Sequence, residues 1–310
     1  MELEFLPTQR KRVIVNTDAK NEADDQYAIV HALLTPSFEV HGVIAAHFGE
    51  RRSTTSMEDS YAEVLKLLDL MGWQGRVRVA RGAPRALPDA QTPVASAGAQ
   101  LIIDEALKDD PRPLHVAFYG PLTDMASALL MEPAIATRNV RVVWIGGGDW
   151  PAGGSEFNLS NDIHAANVVF RSPIEVWQIP STVYRLMAVS YAELFEKVYP
   201  HGALGRYLVE QLVEWNAQFL TWLETQDAER AQAIGGALEY RSLGDSPAVG
   251  VIMYPDCGQW QWRPAPEFES SMHYRHTGRN RPIRVYETVD ARFVHEDFFA
   301  KLARFARAAR

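Results

Sequence analysis

The sequence predicts an α/β fold, a doubly wound and mostly parallel sheet of Rossmann-like type with helices on both faces and a helical elaboration in the C-terminal third. Three observations predict it. Short β-rich runs alternate with longer segments of helical period from Val13 onward. Two of the runs, Val13-Ile14-Val15 and Val142-Val143-Trp144-Ile145, are unbroken apolar stretches, as strands covered by helices on both faces must be. No Gly/Pro/Ser-rich linker divides the 310 residues, so residues 1–310 read as one domain, long enough to bury a sizeable core.

The rhythm begins with a strand over Val13 to Val15, a helix over Asp24 to Leu34, a strand over Phe38 to His47 and a helix over Thr54 to Met71. At each step the apolar spacing changes from a continuous run to a helical period, the mark of βαβ units. It continues through the strand Val77 to Ala80, the helix Ser96 to Leu107, the strand Leu114 to Tyr119 and the helix Thr123 to Met131. The strand Val140 to Ile145, the helix Asp162 to Phe170 and the strand Ile174 to Ile179 follow. From Ser190 to about Gln232 the pattern is mainly helical, with an amphipathic stretch around Tyr207 to Leu223. A last strand, Pro282 to Tyr286, precedes a closing helix over Glu296 to Ala308, which gathers Phe298, Phe299, Leu302 and Phe305 near one face.

Composition narrows the function classes. With 47% hydrophobic and 23% charged residues, the chain is neither disordered, collagen-like nor a coiled coil. Thirty-one Lys plus Arg against 39 Asp plus Glu leave a net charge of −8, which argues against a broad nucleic-acid footprint. The single cysteine, Cys257, rules out an intramolecular disulfide and a Cys-based zinc site, and it fits a cytoplasmic location. Met1 to Arg12 lacks an apolar signal core, and no stretch offers about 18 consecutive apolar residues, so neither secretion nor a membrane partner is expected.

The most informative segment follows the first strand, where a polar loop holds Asp18, Glu22, Asp24 and Asp25 and a helix begins at the last two. In an open α/β sheet, ligands bind beyond the carboxyl ends of the strands, where this loop must lie. Helix capping accounts for one or two of these acids. It does not account for Asp18, at the strand end, whose charge among the others is costly unless a cation neutralises it. Carboxylates without nearby His or Cys select a hard cation such as Ca²⁺ or Mg²⁺ over zinc.

Three further stretches follow in order: Gly120-Pro121-Leu122-Thr123-Asp124-Met125-Ala126, then Glu156-Phe157-Asn158 with Asp162 and Ala165-Ala166 behind it, then Gly244-Asp245-Ser246-Pro247-Ala248. With the first loop they resemble the inosine-uridine preferring nucleoside hydrolase family over roughly Val13 to Ala248. The family's patterns are Asp-x-Asp with a following Asp-Asp, Gly-x-Leu-Thr-Asn-x-Ala, Glu-Phe-Asn and His-Asp-Pro-x-Ala. The resemblance implies hydrolysis of the N-glycosidic bond of a ribonucleoside or related N-riboside to free base and ribose, by a homodimer or homotetramer. It implies a Ca²⁺ ion held by Asp18, Asp25, the backbone carbonyl of Thr123 and Asp245, with Asp18 also the general base. Asp24 would hydrogen-bond the ribose, and Glu156 and Asn158 would hold its other hydroxyls. His47, at a strand end, and Trp260, able to stack on an aromatic leaving group, complete the expected substrate contacts.

Four positions depart from the family pattern. Asn16 stands where the first Asp of Asp-x-Asp is usual; five residues separate Asp18 from Asp24 where three are usual, which brings Lys20 or Glu22 near the site; and Glu50 replaces a ribose-binding Asn. Gly244 stands where many relatives carry the His that protonates the departing base, leaving His47, Tyr184, Tyr240 and Arg241 as candidates for that role. The missing acid motivates an alternative, a non-catalytic metal-dependent riboside-binding protein. Asn16 also removes the nucleophile that a haloacid-dehalogenase-like phosphatase would need at that strand end.

Overall fold

A computed structural model describes residues 4–226 and 239–308. Eight strands form the main sheet: β1 (Lys11–Thr17), β2 (Phe38–Ala45), β3 (Val79–Arg81), β4 (Leu114–Phe118), β5 (Val140–Ile145), β6 (Glu175–Ile179), the late strand Pro282–Tyr286 and an edge strand, Trp260–Pro264. Their order across the sheet is β3-β2-β1-β4-β5-β6, then Pro282–Tyr286, then the edge strand. All neighbours pair in parallel except the last two. The mostly parallel, doubly wound sheet is therefore as the sequence predicts.

The apolar runs explain the layers. Along β1, Val13 and Val15 join the core on one face and Ile14 joins the core on the other, each fully buried. The first face is covered by α1 (Asp25–Leu34), α2 (Ser56–Leu70) and the closing helix Ala291–Ala308, which contributes Phe298, Phe299 and Leu302. The second is covered by α3 (Ala97–Ala106), α4 (Thr123–Met131) and a helix over Ile163–Arg171. The helical elaboration centres on a long helix, Gly202–Gln226, that carries the expected amphipathic stretch. The end of that expected helical region, residues 227–232, lies outside the described residues.

The spacing of Trp260 and Trp262 is also that of strand packing residues, and the two stand on the sheet's edge strand Trp260–Pro264. Its residues are largely exposed and it ends at a proline, the marks of an edge rather than of a buried central strand. The closing helix begins at Ala291, a turn earlier than its aromatic stripe suggests. Among the described residues no helix is long and apolar enough to cross a membrane.

Burial sets the charge state of three histidines. It pushes the imidazoles of His31 and His47 down to about 4 and that of His115 to about 3. In the unfolded chain each titrates near 6.5. As pH falls below about 6.5, the unfolded state takes up protons that the three folded histidines refuse, so the stability these three groups contribute is whole above that pH and is lost toward pH 4, a share read as the difference between native protein and a histidine variant. The expected slope is at most about 1.4 kcal/mol per pH unit for each histidine. Urea unfolding at pH 7 and pH 5 measures it, and His115→Phe should flatten it.

Candidate functional site

The site grows from the topology. Strand β1 lies between β2 and β4, so the chain winds outward to one side of β1 and then returns to build the other side. That reversal opens a crevice beyond the carboxyl ends of β1 and β4. The Asp18–Asp24 loop leaves β1 directly into it, and Tyr119-Gly120 leaves β4 beside it. The two strand ends approach closely only because residue 120 is glycine; a Cβ there would stand 2.9 Å from the Asp18 carboxyl carbon. Two helix N-termini supply the remaining acids, Asp25 in the first turn of α1 and Asp245 at the N-cap of the helix Ser246–Met253.

Asp18, Asp25 and Asp245 are buried, and with Asp24 they line a cavity of about 70 Å³. Oxygens of Asp24, Asp25 and Asp245 lie within 4.8 Å of one another. Asp18 Oδ2 is buried with no hydrogen-bond partner. The Thr17 hydroxyl donates to Asp25 Oδ1, and the Gly244 N–H donates to Asp24 Oδ2 at 2.8 Å. Burial first, and the neighbouring carboxylates second, raise all four pKa values: Asp24 to about 6, Asp25 to about 8, and Asp18 and Asp245 well above the carboxylate range. An oxygen-only set with one orphaned buried oxygen fits a hard divalent cation.

Glu156 and Asn158 line the same cavity from the start of a short helix, Phe157–Asn161. Glu156 is saturated with donors: Gly147 N–H and Leu159 N–H at 2.8 Å on Oε2, Asn158 N–H at 3.1 Å and the Tyr184 hydroxyl at 2.8 Å on Oε1. The Asn158 amide gives its protons to the carbonyls of Tyr119 and Ile145, at 2.6 and 2.9 Å. Its oxygen remains to accept. Of the two intruders expected in the longer loop, Glu22 lines the cavity and pairs with Arg241, whereas Lys20 turns out to Glu63.

Three expected residues are not brought to the cavity. Thr123 is the first residue of α4, so its carbonyl enters the helical ladder; its hydroxyl sits 2.8 Å from His47 Nε2 and donates to Asp162 Oδ2 at 2.8 Å. Tyr119, at the end of β4, lines the acidic cavity instead. Its position, directly after the apolar run and before the glycine, was the signal for it. His47 is buried, accepts from the Gly49 N–H on Nδ1 and reaches toward α4, which makes it a brace for its own loop. Trp260 stands on the sheet's edge strand, its ring 3.9 Å from the Arg284 guanidinium and packed against Trp262. Glu50 and Tyr240 are exposed outside the cavity, while Tyr184, a leaving-group candidate, lines it.

Comparison with known proteins decides what this geometry belongs to. The sequence profile of the inosine-uridine preferring nucleoside hydrolases matches residues 13–296. The chain belongs to that family. It is 25% identical over 214 residues to uridine nucleosidase 1 of Arabidopsis thaliana, a match spanning 61% of each chain. It is 28% identical over 179 residues to the pyrimidine-specific ribonucleoside hydrolase RihA of Citrobacter koseri, spanning 49% of this chain and 55% of that one. The fold is that of the purine-preferring ribonucleoside hydrolase from Gardnerella vaginalis, with a TM-score of 0.74 at 21% identity over 96% of this chain and 100% of that one.

Within the nucleoside hydrolase family pattern, the departure at Asn16 has a structural partner. Asn16 Nδ2 donates to Asp124 Oδ2 at 2.9 Å, and Asp124 stands where the family's turn has Asn. The amide thus stands on β1 and the carboxylate on α4, the reverse of the residue types in the family's pattern, and the two bond to each other. Asp124 Oδ1 meanwhile accepts from Ala83 N–H at 2.8 Å and Ser96 Oγ at 2.6 Å. Asn16→Asp should therefore set two buried carboxylates against each other and cost about 3 kcal/mol or more. Asn16→Asp with Asp124→Asn should recover most of that loss, with a coupling of about 1–3 kcal/mol in a double-mutant cycle of urea unfolding.

Proposed function

We propose that this nucleoside hydrolase family member cleaves the N-glycosidic bond of a ribonucleoside or related N-riboside, releasing base and ribose, and that residues 1–310 act as one unit. The observation that carries the proposal is the buried convergence of Asp18, Asp25 and Asp245 with an unpartnered Asp18 oxygen at the switch point of the sheet. Asp18, Asp25 and Asp245, with the Tyr119 carbonyl at the adjoining strand end, are the groups that would hold Ca²⁺. When bound, that ion supplies Lewis acidity toward water and a template for the ribose diol.

The chain's own residues divide the remaining work. Glycosidic cleavage passes through an oxocarbenium-like state, so the site must position a water and favour a developing positive ring. Asp18, with one free oxygen, accepts the proton of the attacking water while its OH adds to the anomeric carbon. Glu156 has its lone pairs committed to three backbone N–H groups and the Tyr184 hydroxyl, so it is not the base, and a ribose hydroxyl reaches it by taking the place of the Tyr184 hydroxyl. Asn158 presents its amide oxygen to another hydroxyl, since both amide protons are used. Asp24, held by the Gly244 N–H, shares the ribose diol with them.

The departing nitrogen must receive a proton, and Tyr184 is the hydroxyl in place to give one. Burial and Glu156 raise its pKa well above the phenol range, which makes it a reluctant acid. This supports the second reading, riboside binding without turnover, for ligands whose leaving group needs full protonation. A cytoplasmic homodimer or homotetramer belongs to the same proposal, supported by the family resemblance and the unpaired Cys257.

The test is release of reducing sugar from a panel of purine and pyrimidine nucleosides, with and without chelator. Native protein should turn over at least one member, chelation should abolish it, and Asp18→Asn should lower kcat by about 10²–10⁴-fold. Saturable binding with no turnover on any member would favour the binding protein, and turnover indifferent to chelator would sink the metal assignment. Chelation should also lower Tm, because the empty cluster leaves like charges converging.

A further inference from the structure

The acidic cavity is only the floor of the site. A second cavity of about 630 Å³ adjoins it and shares Glu22, Asp24, Glu156 and Tyr184 with it. Arg51, Arg52, Arg185 and Arg241 line the larger cavity and are absent from the smaller one. Arg241 is neutralised by Glu22. Arg51, Arg52 and Arg185 have no carboxylate partner among the described residues, in a chain whose net charge is −8. Arg52 is anchored without being neutralised: its guanidinium donates to Asn21 O at 3.0 Å and lies 4.5 Å from the Phe157 ring centroid, and its other nitrogens are not used by these contacts.

A second, independent observation points the same way. Asn161 is 8% exposed, lines the larger cavity, and its Nδ2 has no hydrogen-bond partner. A buried amide donor left unpaired costs about 1–3 kcal/mol, which an acceptor on a ligand would relieve. Ser160 Oγ lies on the same wall, 3.5 Å from Arg51. Three guanidinium groups without carboxylate partners and an unpaired amide N–H supply donors of the kind that recognise phosphate, and the carboxylates of this cavity, Glu22, Asp24 and Glu156, are the ones it shares with the acidic floor.

We infer that the substrate is a 5′-phosphorylated N-riboside, a nucleotide rather than a plain nucleoside, with its phosphate held by Arg51, Arg52, Arg185 and Asn161. The inference rests on the N-ribohydrolase reading for its orientation. If the ribose 2′,3′-diol is seated on the acidic floor, C5′ is on the opposite side of the ring and faces the arginine-lined mouth. The charges then sort along one axis: acids at the diol and the reacting carbon, cations at the phosphate.

Two measurements test it. The first compares kcat/KM for inosine with inosine 5′-monophosphate and for uridine with uridine 5′-monophosphate at matched ionic strength. The monophosphate should be favoured at least tenfold, and the ratio should fall at least tenfold in Arg51→Glu/Arg185→Glu. The second compares calorimetric binding of ribose 5-phosphate and ribose, which reads the phosphate without turnover; ribose 5-phosphate should bind at least tenfold tighter, less so as salt rises. Should the double variant not fold, the native ratios and their salt dependence still decide. Turnover of nucleosides with no phosphate preference in either measurement overturns the inference and leaves the hydrolase reading standing. Tighter ribose 5-phosphate binding with no turnover of any substrate supports the phosphate site and overturns the hydrolase reading instead.

Discussion

Everything at this site depends on one electrostatic constraint: the fold gathers Asp18, Asp24, Asp25 and Asp245 around one small cavity, with oxygens of the last three within 4.8 Å of one another. The protein supplies some relief. Asp25 receives the Thr17 hydroxyl, Asp24 receives the Gly244 N–H, and both Asp25 and Asp245 sit at helix N-termini. Magnitudes show that this is insufficient. A helix terminus contributes about 0.3–1 kcal/mol, rising to about 2 in partly buried geometry, against several kcal/mol for each buried uncompensated charge. Protons or a divalent ion must complete the balance, and the raised pKa values express the first option. At neutral pH a hard cation is the alternative that leaves Asp18 a carboxylate, the only state in which it can accept a proton.

The surrounding polar groups show why acids of the same type do different work. Glu156 and Asp18 are both buried, yet Glu156 receives three backbone N–H groups and a phenol while one Asp18 oxygen receives nothing. A carboxylate held on both oxygens is rigid, with its lone pairs committed to fixed donors. One with a free oxygen keeps its basicity, at the expense of stability. Division of labour is thus set by the backbone: the turn at Gly147 and the helix beginning at Phe157 supply N–H groups to Glu156, and the end of β1 supplies none to Asp18 Oδ2.

Much of this was legible in the sequence because like charges cluster for few reasons. Asp18 ends a buried strand, where capping does not explain it, and that one residue separates a metal site from ordinary helix starts. The runs Val13–Val15 and Val142–Ile145 likewise show a sheet covered on both faces. Thr123, His47 and Trp260 were less legible for a common reason: a contiguous motif names residues, while side-chain direction depends on where the chain turns. Gly120 to Ala126 reads as one unit, but the chain enters α4 at Thr123, so the turn's functional end is its beginning, at Tyr119. His47 lies just beyond the end of β2, on the correct edge of the sheet, and is then drawn toward Thr123. Trp260 is separated from the site by the whole width of the sheet from β1 to its last edge, which no local pattern reveals.

The departures from the family pattern are better understood in pairs. Asn16 alone looks like the loss of an acid; with Asp124 it is a bond whose two ends have exchanged chemistry. Gly244 alone looks like the loss of a catalytic histidine. A Cβ at that position would stand 3.2 Å from the Tyr184 ring and 3.1 Å from Asp24 Oδ2, closer than most side chains tolerate. Tyr184 therefore occupies the space that a residue at 244 would need, and it uses that place to donate its hydroxyl to Glu156. The absent side chain at 244 and the place of the Tyr184 ring are two sides of one close contact. A side chain at 244 would need the Tyr184 ring to give by a few tenths of an ångström, and the hydroxyl bond to Glu156 hangs on that same ring, so the two positions are coupled through a single aromatic side chain.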